Sequence, residues 1–162
     1  MTRRPVLRNA GAGASLLLVI LLGGCSHIVT IDSPHLPTGK AHDCRALVAA
    51  LPGHIDDQKR RRVQPEGAYG AAWGDPAIVL TCGVAKPRGL DRFASCTVVN
   101  GVGWFIPVRQ SSGQAGEIDM TTIGRKEFVT VTIPEQYFPP AATMADLAPA
   151  VKRAIPDVRP CV

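Results

Sequence analysis

The 162-residue sequence lacks the short motifs that mark common catalytic sites. It contains no Gly-x-Ser-x-Gly turn, no paired His-Glu metal motif and no phosphate-binding loop. The four histidines and five cysteines are too dispersed for the close ligand spacing of a zinc site. We therefore predict no catalytic residue, no metal and no cofactor, and we expect a protein that is not an enzyme.

The chain also lacks an apolar run long enough to cross a bilayer as a helix. A spanning helix needs about 20 apolar residues, whereas the run ASLLLVILL covers residues 14–22 only. A basic start, a short apolar run and small residues before a cleavage point are typical of a signal peptide. The last residues, Leu22-Gly23-Gly24-Cys25, resemble the bacterial lipobox. We predict that residues 1–24 are removed and that Cys25 then carries acyl chains such as palmitate, which anchor a lipoprotein to the outer face of the cytoplasmic membrane.

A strong basic surplus is missing once the signal peptide is set aside. Removing Arg3, Arg4 and Arg8 from the 18 Lys and Arg leaves 15, against 13 Asp and Glu, which is a net charge of +2. Nucleic-acid binding depends on a larger basic field, so we predict no nucleic-acid partner. Besides the membrane, the partner that we expect is an envelope protein or a wall polymer.

Four cysteines remain after Cys25, and an even number outside the cytoplasm predicts two disulfides with three possible pairings. Cys82 and Cys96 are symmetric about Gly89, so folding 77–82 back on 96–99 would place their sulfurs opposite each other. We therefore predict Cys82–Cys96 and, by elimination, Cys44–Cys161, which would tie the two ends of the domain together.

Apolar spacing predicts a helix over 44–51, with Asp43 as its N-cap and Pro52-Gly53 as its end. A second helix is predicted to start near Thr143, kinked or delayed by Pro149. Asn100-Gly101 predicts a hairpin turn. Strands are predicted at 77–82, 96–99, 102–108, 118–123 and 128–133. The order predicts an α+β fold, a two-layer sandwich of a mainly antiparallel sheet with an N-terminal and a C-terminal helix on one face.

The prolines in 26–41 predict that residues 25–41 form a lipidated tether with a short strand at 28–31, followed by a single domain over 42–162. Two features of this domain are candidate binding sites. Trp73 and Asp75 are either a turn anchor and a turn cap, which we favour, or an aromatic platform and hydroxyl acceptor for a sugar. The run Lys59-Arg60-Arg61-Arg62 is either a solvated loop, which we favour, or a grip on phosphate groups of lipids or wall polymers.

The string Ala72–Gly83, AWGDPAIVLTCG, is specific. Together with Cys-x-x-Leu-x-x-x-Leu-Pro at 44–52, an Arg-Arg pair between the two and Val-Asn-Gly-Val-x-Trp at 99–104, it resembles an uncharacterised actinobacterial family of secreted proteins and lipoproteins. The resemblance covers roughly Cys44 to Cys161. It implies an envelope protein and supplies no activity and no catalytic residue.

We therefore expect a non-enzymatic, lipid-anchored envelope protein that acts as a binding or accessory module. Two alternatives stay open. An enzyme acting on wall precursors or glycans would show a deep pocket lined by two or more acidic groups, whereas a carrier of a small apolar ligand would show a large dry cavity.

Overall fold

The computed structural model describes residues 28–107 and 116–159, and the predicted signal peptide, Cys25 and Cys161 lie outside these ranges. Ten strands and two α-helices follow one another along the described chain. In order they are β1 (Val29–Thr30), α1 (Thr38–Ala50), β2 (His54–Ile55), β3 (Gln58–Arg61), β4 (Val63–Gln64), β5 (Gly70–Trp73), β6 (Ile78–Val84), β7 (Thr97–Val99), β8 (Val102–Phe105), β9 (Glu117–Ile123), β10 (Phe128–Pro134) and α2 (Ala141–Ala154).

Eight strands form one sheet in the order β2-β3-β5-β6-β10-β9-β8-β7, and every neighbouring pair is antiparallel. Strands β1 and β4 form a separate parallel pair. The helices α1 and α2 contact each other and pack on the sheet. The predicted α+β sandwich, with a mainly antiparallel sheet and two helices, is confirmed.

The core lies between the helices and one face of the sheet. On β6, Ile78, Leu80 and Cys82 are fully buried while the residues between them are partly exposed, which is the period-two pattern of a strand with one covered face. The helices contribute apolar residues at helical spacing to the same core. These are Cys44 and Leu47 of α1 and Met144, Leu147, Ala148 and Val151 of α2.

The first helix starts earlier than predicted. It begins at Thr38 after Pro37, so Asp43 lies inside the helix and is not its cap. The preceding residues are also packed: β1 pairs with β4, and Ile31 is only 2% exposed. The predicted strand near 28–31 is confirmed. Within the tether predicted over 25–41, the strand β1, the buried Ile31 and the first turn of α1 are packed on the domain.

Strand pairing also differs from the prediction. The strand that contains Cys82, β6, does not pair with β7, because β10, β9 and β8 lie between them in the sheet. At about 4.8 Å per strand, four spacings place β6 and β7 about 19 Å apart. The polar stretch from His54 to Gly70 was not predicted to contain strands, yet β2, β3 and β4 lie there and β5 begins at its end.

The hairpin turn at Asn100-Gly101 is confirmed, and both residues have the positive φ that this turn requires, 49° and 78°. Asn100 has a second use. Pro149 lies inside α2 and has no N–H for the carbonyl of Ala145 four residues earlier, and the Asn100 side-chain amide donates a long, 3.5 Å bond to that carbonyl.

In residues 28–107 and 116–159, neither helix is long and apolar enough to cross a membrane.

Candidate functional site

Trp73 lies in the core and offers no face to a ligand. Its side chain is 0% exposed, and its indole N–H donates to the carbonyl of Pro52 at 3.1 Å. Asp75, two residues later, is 77% exposed and lies on the far side of a tight turn at Gly74. The structure therefore does not bring Trp73 and Asp75 together as a sugar platform, and it places Trp73 as the predicted turn anchor.

Arg60 is a structural residue. Its guanidinium donates to the carbonyls of Val48 at 3.2 Å and Leu51 at 3.1 Å, which belong to the last turn and the C-cap of α1. These carbonyls have no partner within the helix, so the side chain satisfies them. The guanidinium also lies 5.8 Å from the centre of the Trp73 ring. Burial lowers the pKa of Arg60.

Arg61 points to the opposite face of β3 and contacts the turn after β5. It donates to the carbonyl of Gly74 at 2.6 Å and lies 3.7 Å from the Asp75 carboxylate. The basic run therefore divides along the strand, because neighbouring side chains of a strand point to opposite faces. Of the four residues, Lys59 and Arg62 are the ones that stay exposed.

Arg62 lies directly beside the N-terminal strand. Its carbonyl accepts the Val29 N–H at 3.0 Å, and Val63 is the register partner of Val29. Val29 therefore lies beside Arg62, the exposed residue at the end of the basic run. We refer to Lys59 and Arg62 as the basic strip.

The described residues also form a cleft of about 580 Å³, which was not predicted from the sequence. One wall is the loop 86–96, and the other is the end of β9 with the C-terminal segment 156–159. Gly124 connects the two parts of this second wall, because its carbonyl accepts the N–H groups of Val158 at 2.7 Å and Arg159 at 3.0 Å. A side chain at Gly124 would collide with the Arg159 carbonyl, and its φ of +74° favours glycine.

The cleft combines an apolar lining with basic side chains. Its apolar lining is formed by Leu90, Ala94, Ile123, Phe128 and Val158. Its charged lining is formed by Lys86, Arg92, Arg125 and Arg159 with a single carboxylate, Asp91. The sequence shows several Lys and Arg residues in the loop 86–92, but only tertiary contacts place them near Arg159.

Arg125 differs from the other basic residues of the cleft, because its donors are already used. It is 8% exposed and donates to the carbonyls of Ile155 at 3.2 Å and Gly101 at 2.9 Å. Its guanidinium also lies 3.9 Å from the Asp157 carboxylate. Arg125 therefore holds the C-terminal segment in place. Lys86, Arg92 and Arg159 are exposed and can meet a ligand, and the Arg92 guanidinium also lies 5.6 Å from the centre of the Phe93 ring.

The disulfide pairing differs from the prediction. Cys44 of α1 is bonded to Cys82 of β6, with 5.6 Å between their Cα atoms, so neither Cys82–Cys96 nor Cys44–Cys161 is correct. The reason is topological: α1 packs across β6, whereas the strand that follows Cys96 lies four strands away. Cys96 is also disulfide-bonded and lines the cleft.

The acidic residues of the described chain do not form a metal site. Within residues 28–107 and 116–159, no group of three or more His, Cys, Asp or Glu is arranged to hold a metal ion. Asp56 and Asp146 do approach each other, because the Asp146 carboxylate accepts the Asp56 N–H at 2.8 Å. Burial, followed by the charges of Asp57 and Asp146, raises the pKa of Asp56.

A family model described as "Protein of unknown function (DUF3515)" matches residues 21–160, which is most of the chain. No curated protein and no solved structure matches the sequence. The match spans both helices, the whole sheet and both walls of the cleft. The chain therefore belongs to the DUF3515 family of proteins of unknown function.

Proposed function

We propose that this protein is a lipid-anchored, non-enzymatic binding module that works on the outer face of the cytoplasmic membrane of a bacterial cell. The lipobox-like Leu22–Cys25 supplies the anchor, and one structural observation supports the rest of the proposal. Val29, four residues after Cys25 in the sequence, is already hydrogen-bonded to Arg62.

The short connection limits how far the domain can lie from the bilayer. An extended chain spans at most about 3.6 Å per residue, so four residues reach at most about 14 Å. An acylated Cys25 would therefore hold β1, and Arg62 beside it, close to the lipid headgroups. The domain would rest on the membrane and would not extend into the wall on a long linker.

The charge of the basic strip favours this placement. A Lys or Arg near an anionic lipid surface contributes about 1 kcal/mol, and the attraction fades over a screening length of about 10 Å at moderate salt. Lys59 and Arg62 are exposed, and the reach of the connecting residues is comparable to that length. The strip would add a weak electrostatic contact to the lipid anchor and would fix the orientation of the domain.

The lining of the cleft matches neither alternative in full, because its charged side chains differ from the dry cavity expected of a carrier of apolar ligands and it lacks the acidic pair expected of a glycan-cleaving enzyme. A glycan-cleaving enzyme needs a pair of carboxylates at its site, and the lining described for the cleft offers Asp91 alone. Its volume is within the range of about 300–1,000 Å³ that is usual for small-molecule sites.

Lipidation is tested by replacing the predicted attachment residue. Cys25→Ala should abolish incorporation of a labelled fatty acid, because the thiol that receives the lipid is gone, and should leave the protein mis-processed or released from the membrane. The matched control is Cys44→Ala, which removes a cysteine but keeps the lipobox. Mass spectrometry showing an unmodified mature N-terminus beyond Ser26 would contradict the proposal.

Membrane contact of the basic strip is tested by lysine labelling of the lipidated protein. In vesicles that contain anionic phospholipid, Lys59 should react more slowly with a water-soluble amine reagent than in neutral vesicles, because headgroups shield it. Lys152, exposed on α2, is the internal control and should react equally in both. Equal labelling of Lys59 in the two membranes would exclude this orientation even if Cys25 is acylated.

A further inference from the structure

We infer that the cleft between the loop 86–96 and the C-terminal segment 156–159 binds an anionic amphiphile, a molecule with one alkyl chain and a phosphate or carboxylate headgroup. The inference rests on the binding-module part of the proposed function. It does not depend on acylation of Cys25, since no residue of the cleft belongs to the lipobox or to the basic strip.

The apolar part of the cleft suits an alkyl chain. Ile123 and Phe128 flank the turn between β9 and β10 and are partly exposed, although apolar side chains of this size are usually buried. Val158 is 64% exposed and lines the same cleft. With Leu90 on the opposite wall, these side chains form one apolar surface that a hydrocarbon would remove from water.

The charged part of the cleft suits an anionic headgroup. Lys86, Arg92 and Arg159 all line it, and they come from both walls, so a headgroup between them can be met from two sides. Arginine and lysine form short, charge-assisted bonds to phosphate and carboxylate oxygens. Asp91 is the one carboxylate of the lining, and it accepts the Phe93 N–H at 2.8 Å within its own loop. A cationic or zwitterionic headgroup would therefore gain less than an anion.

The wall that carries Arg159 is held in place by hydrogen bonds within the protein. Gly124 accepts two N–H groups from residues 158 and 159, and the Lys126 N–H donates to the carbonyl of Pro156 at 2.9 Å. Arg125 adds the bonds to Ile155 and Gly101 already described. Because this segment is fixed in advance, less conformational entropy is lost when a ligand binds to it.

The test uses photo-crosslinking on the full mature protein in discs of neutral lipid. The probe is dodecyl phosphate with a diazirine on its alkyl chain, and the matched probe carries a trimethylammonium headgroup on the same chain. The phosphate probe should label peptides that contain residues 86–96 and 123–128 roughly tenfold more strongly than the ammonium probe, a ratio that one charge-assisted contact can supply. Equal labelling by both probes, or labelling confined to other peptides, would overturn the inference.

Charge-reversal variants locate the headgroup. The double variant Lys86→Glu with Arg159→Glu should reduce labelling by the phosphate probe roughly tenfold or more. The double variant Lys152→Glu with Arg153→Glu makes the same change of charge on α2 and should keep full labelling. All of these residues are exposed, and thermal melting of each variant verifies that it is folded. An equal loss in both double variants would show a general charge effect and would contradict a site in the cleft.

Competition distinguishes the sources of the anion. Unlabelled dodecyl phosphate or laurate should displace the probe, whereas inorganic phosphate at the same concentration should not, because it lacks the alkyl chain. Displacement by inorganic phosphate alone would overturn the amphiphile and indicate a plain phosphate site. Because the cleft variants keep Cys25 and the basic strip, failure here leaves the lipidation result intact, and the reverse also holds.

Discussion

At the scale of single residues, neighbours in one basic run have different tasks. Arg60 faces the core and satisfies the end of α1, Arg61 holds the turn at Gly74, and Arg62 faces solvent beside β1. The sequence predicts the run as one feature. The alternation of side chains along β3 separates Arg60 from Arg61, and Arg62 lies beyond the end of the strand.

Replacement of Arg60 tests this division. Arg60→Ala should lower the free energy of unfolding by about 2–4 kcal/mol, because it leaves the carbonyls of Val48 and Leu51 without their charged donor and removes the guanidinium from Trp73. Arg62→Ala should change it by no more than about 0.5 kcal/mol, since that side chain is exposed. Denaturant unfolding of the two variants gives the comparison, and equal effects would contradict a structural role for Arg60.

At the scale of elements, α1 is fixed to the sheet at several points. The Cys44–Cys82 bond joins it to β6. Lys126, in the turn between β9 and β10, donates to the Asp43 carboxylate at 2.7 Å, and Lys40 lies 3.2 Å from the buried Glu127 carboxylate. The early start of α1 at Thr38 is what allows Lys40 and Asp43 to reach this turn.

The Asp43–Lys126 contact predicts a pH dependence. The hydrogen bond from Lys126 holds the pKa of Asp43 below its usual value of 3.8. Because the folded pKa is the lower one, the contribution to stability is complete above the unfolded value and is lost as the pH falls through the folded value. Wild-type protein should therefore lose more stability than Asp43→Asn when the pH falls from about 5 to below 3.

Unfolding curves at several pH values from about 7 to about 2 measure this difference. The matched control is Glu66→Gln, which removes an exposed carboxylate in a turn. A stability difference between wild type and Asp43→Asn that stays constant over the whole range would show that the contact does not titrate with folding.

At the scale of the whole molecule, the disulfides connect the helical layer to the sheet and, we expect, the chain end to the cleft. Cys96 is disulfide-bonded, and Cys44 and Cys82 are bonded to each other. We have proposed that Cys25 carries the lipid, and under that proposal Cys161 is the cysteine that remains. Arg159, two residues before Cys161, lines the same cleft as Cys96.

We therefore predict that Cys96 pairs with Cys161. Peptide mapping without reduction should yield two linked pairs, Cys44 with Cys82 and Cys96 with Cys161. The second bond should hold segment 156–159 against the cleft, so Cys161→Ser should weaken labelling by the dodecyl phosphate probe while Cys82→Ser, which keeps the cleft covalently intact, should weaken it less. Linkage of Cys96 to any other cysteine would contradict the pairing.

The sequence alone determined what depends on local pattern. The buried stripe of α1, the Asn100-Gly101 hairpin, the strands around Leu80 and Val131 and the α+β layering follow from periodicity and turn chemistry, which act over a few residues. It also contains the lipobox-like string at 22–25 on which the proposal of lipidation rests, since a processing signal is a linear motif. Strands β2 to β4 were missed because polar residues dominate them. The turn between β2 and β3 is Asp56-Asp57, which is a weaker hairpin signal than Asn-Gly, and β4 pairs with the distant β1.

Only the tertiary structure decided the long-range arrangement. The order of the strands placed three of them between β6 and β7, and that order, not symmetry along the chain, determined which cysteines meet. The cleft arises in the same way, because the pairing of β6 with β10 brings Phe128 near Lys86, and the bonds of the C-terminal segment to Gly124 bring Arg159 to the same place. Local pattern specifies elements, whereas the pairing of edges and the closing of loops depend on contacts between residues far apart in sequence.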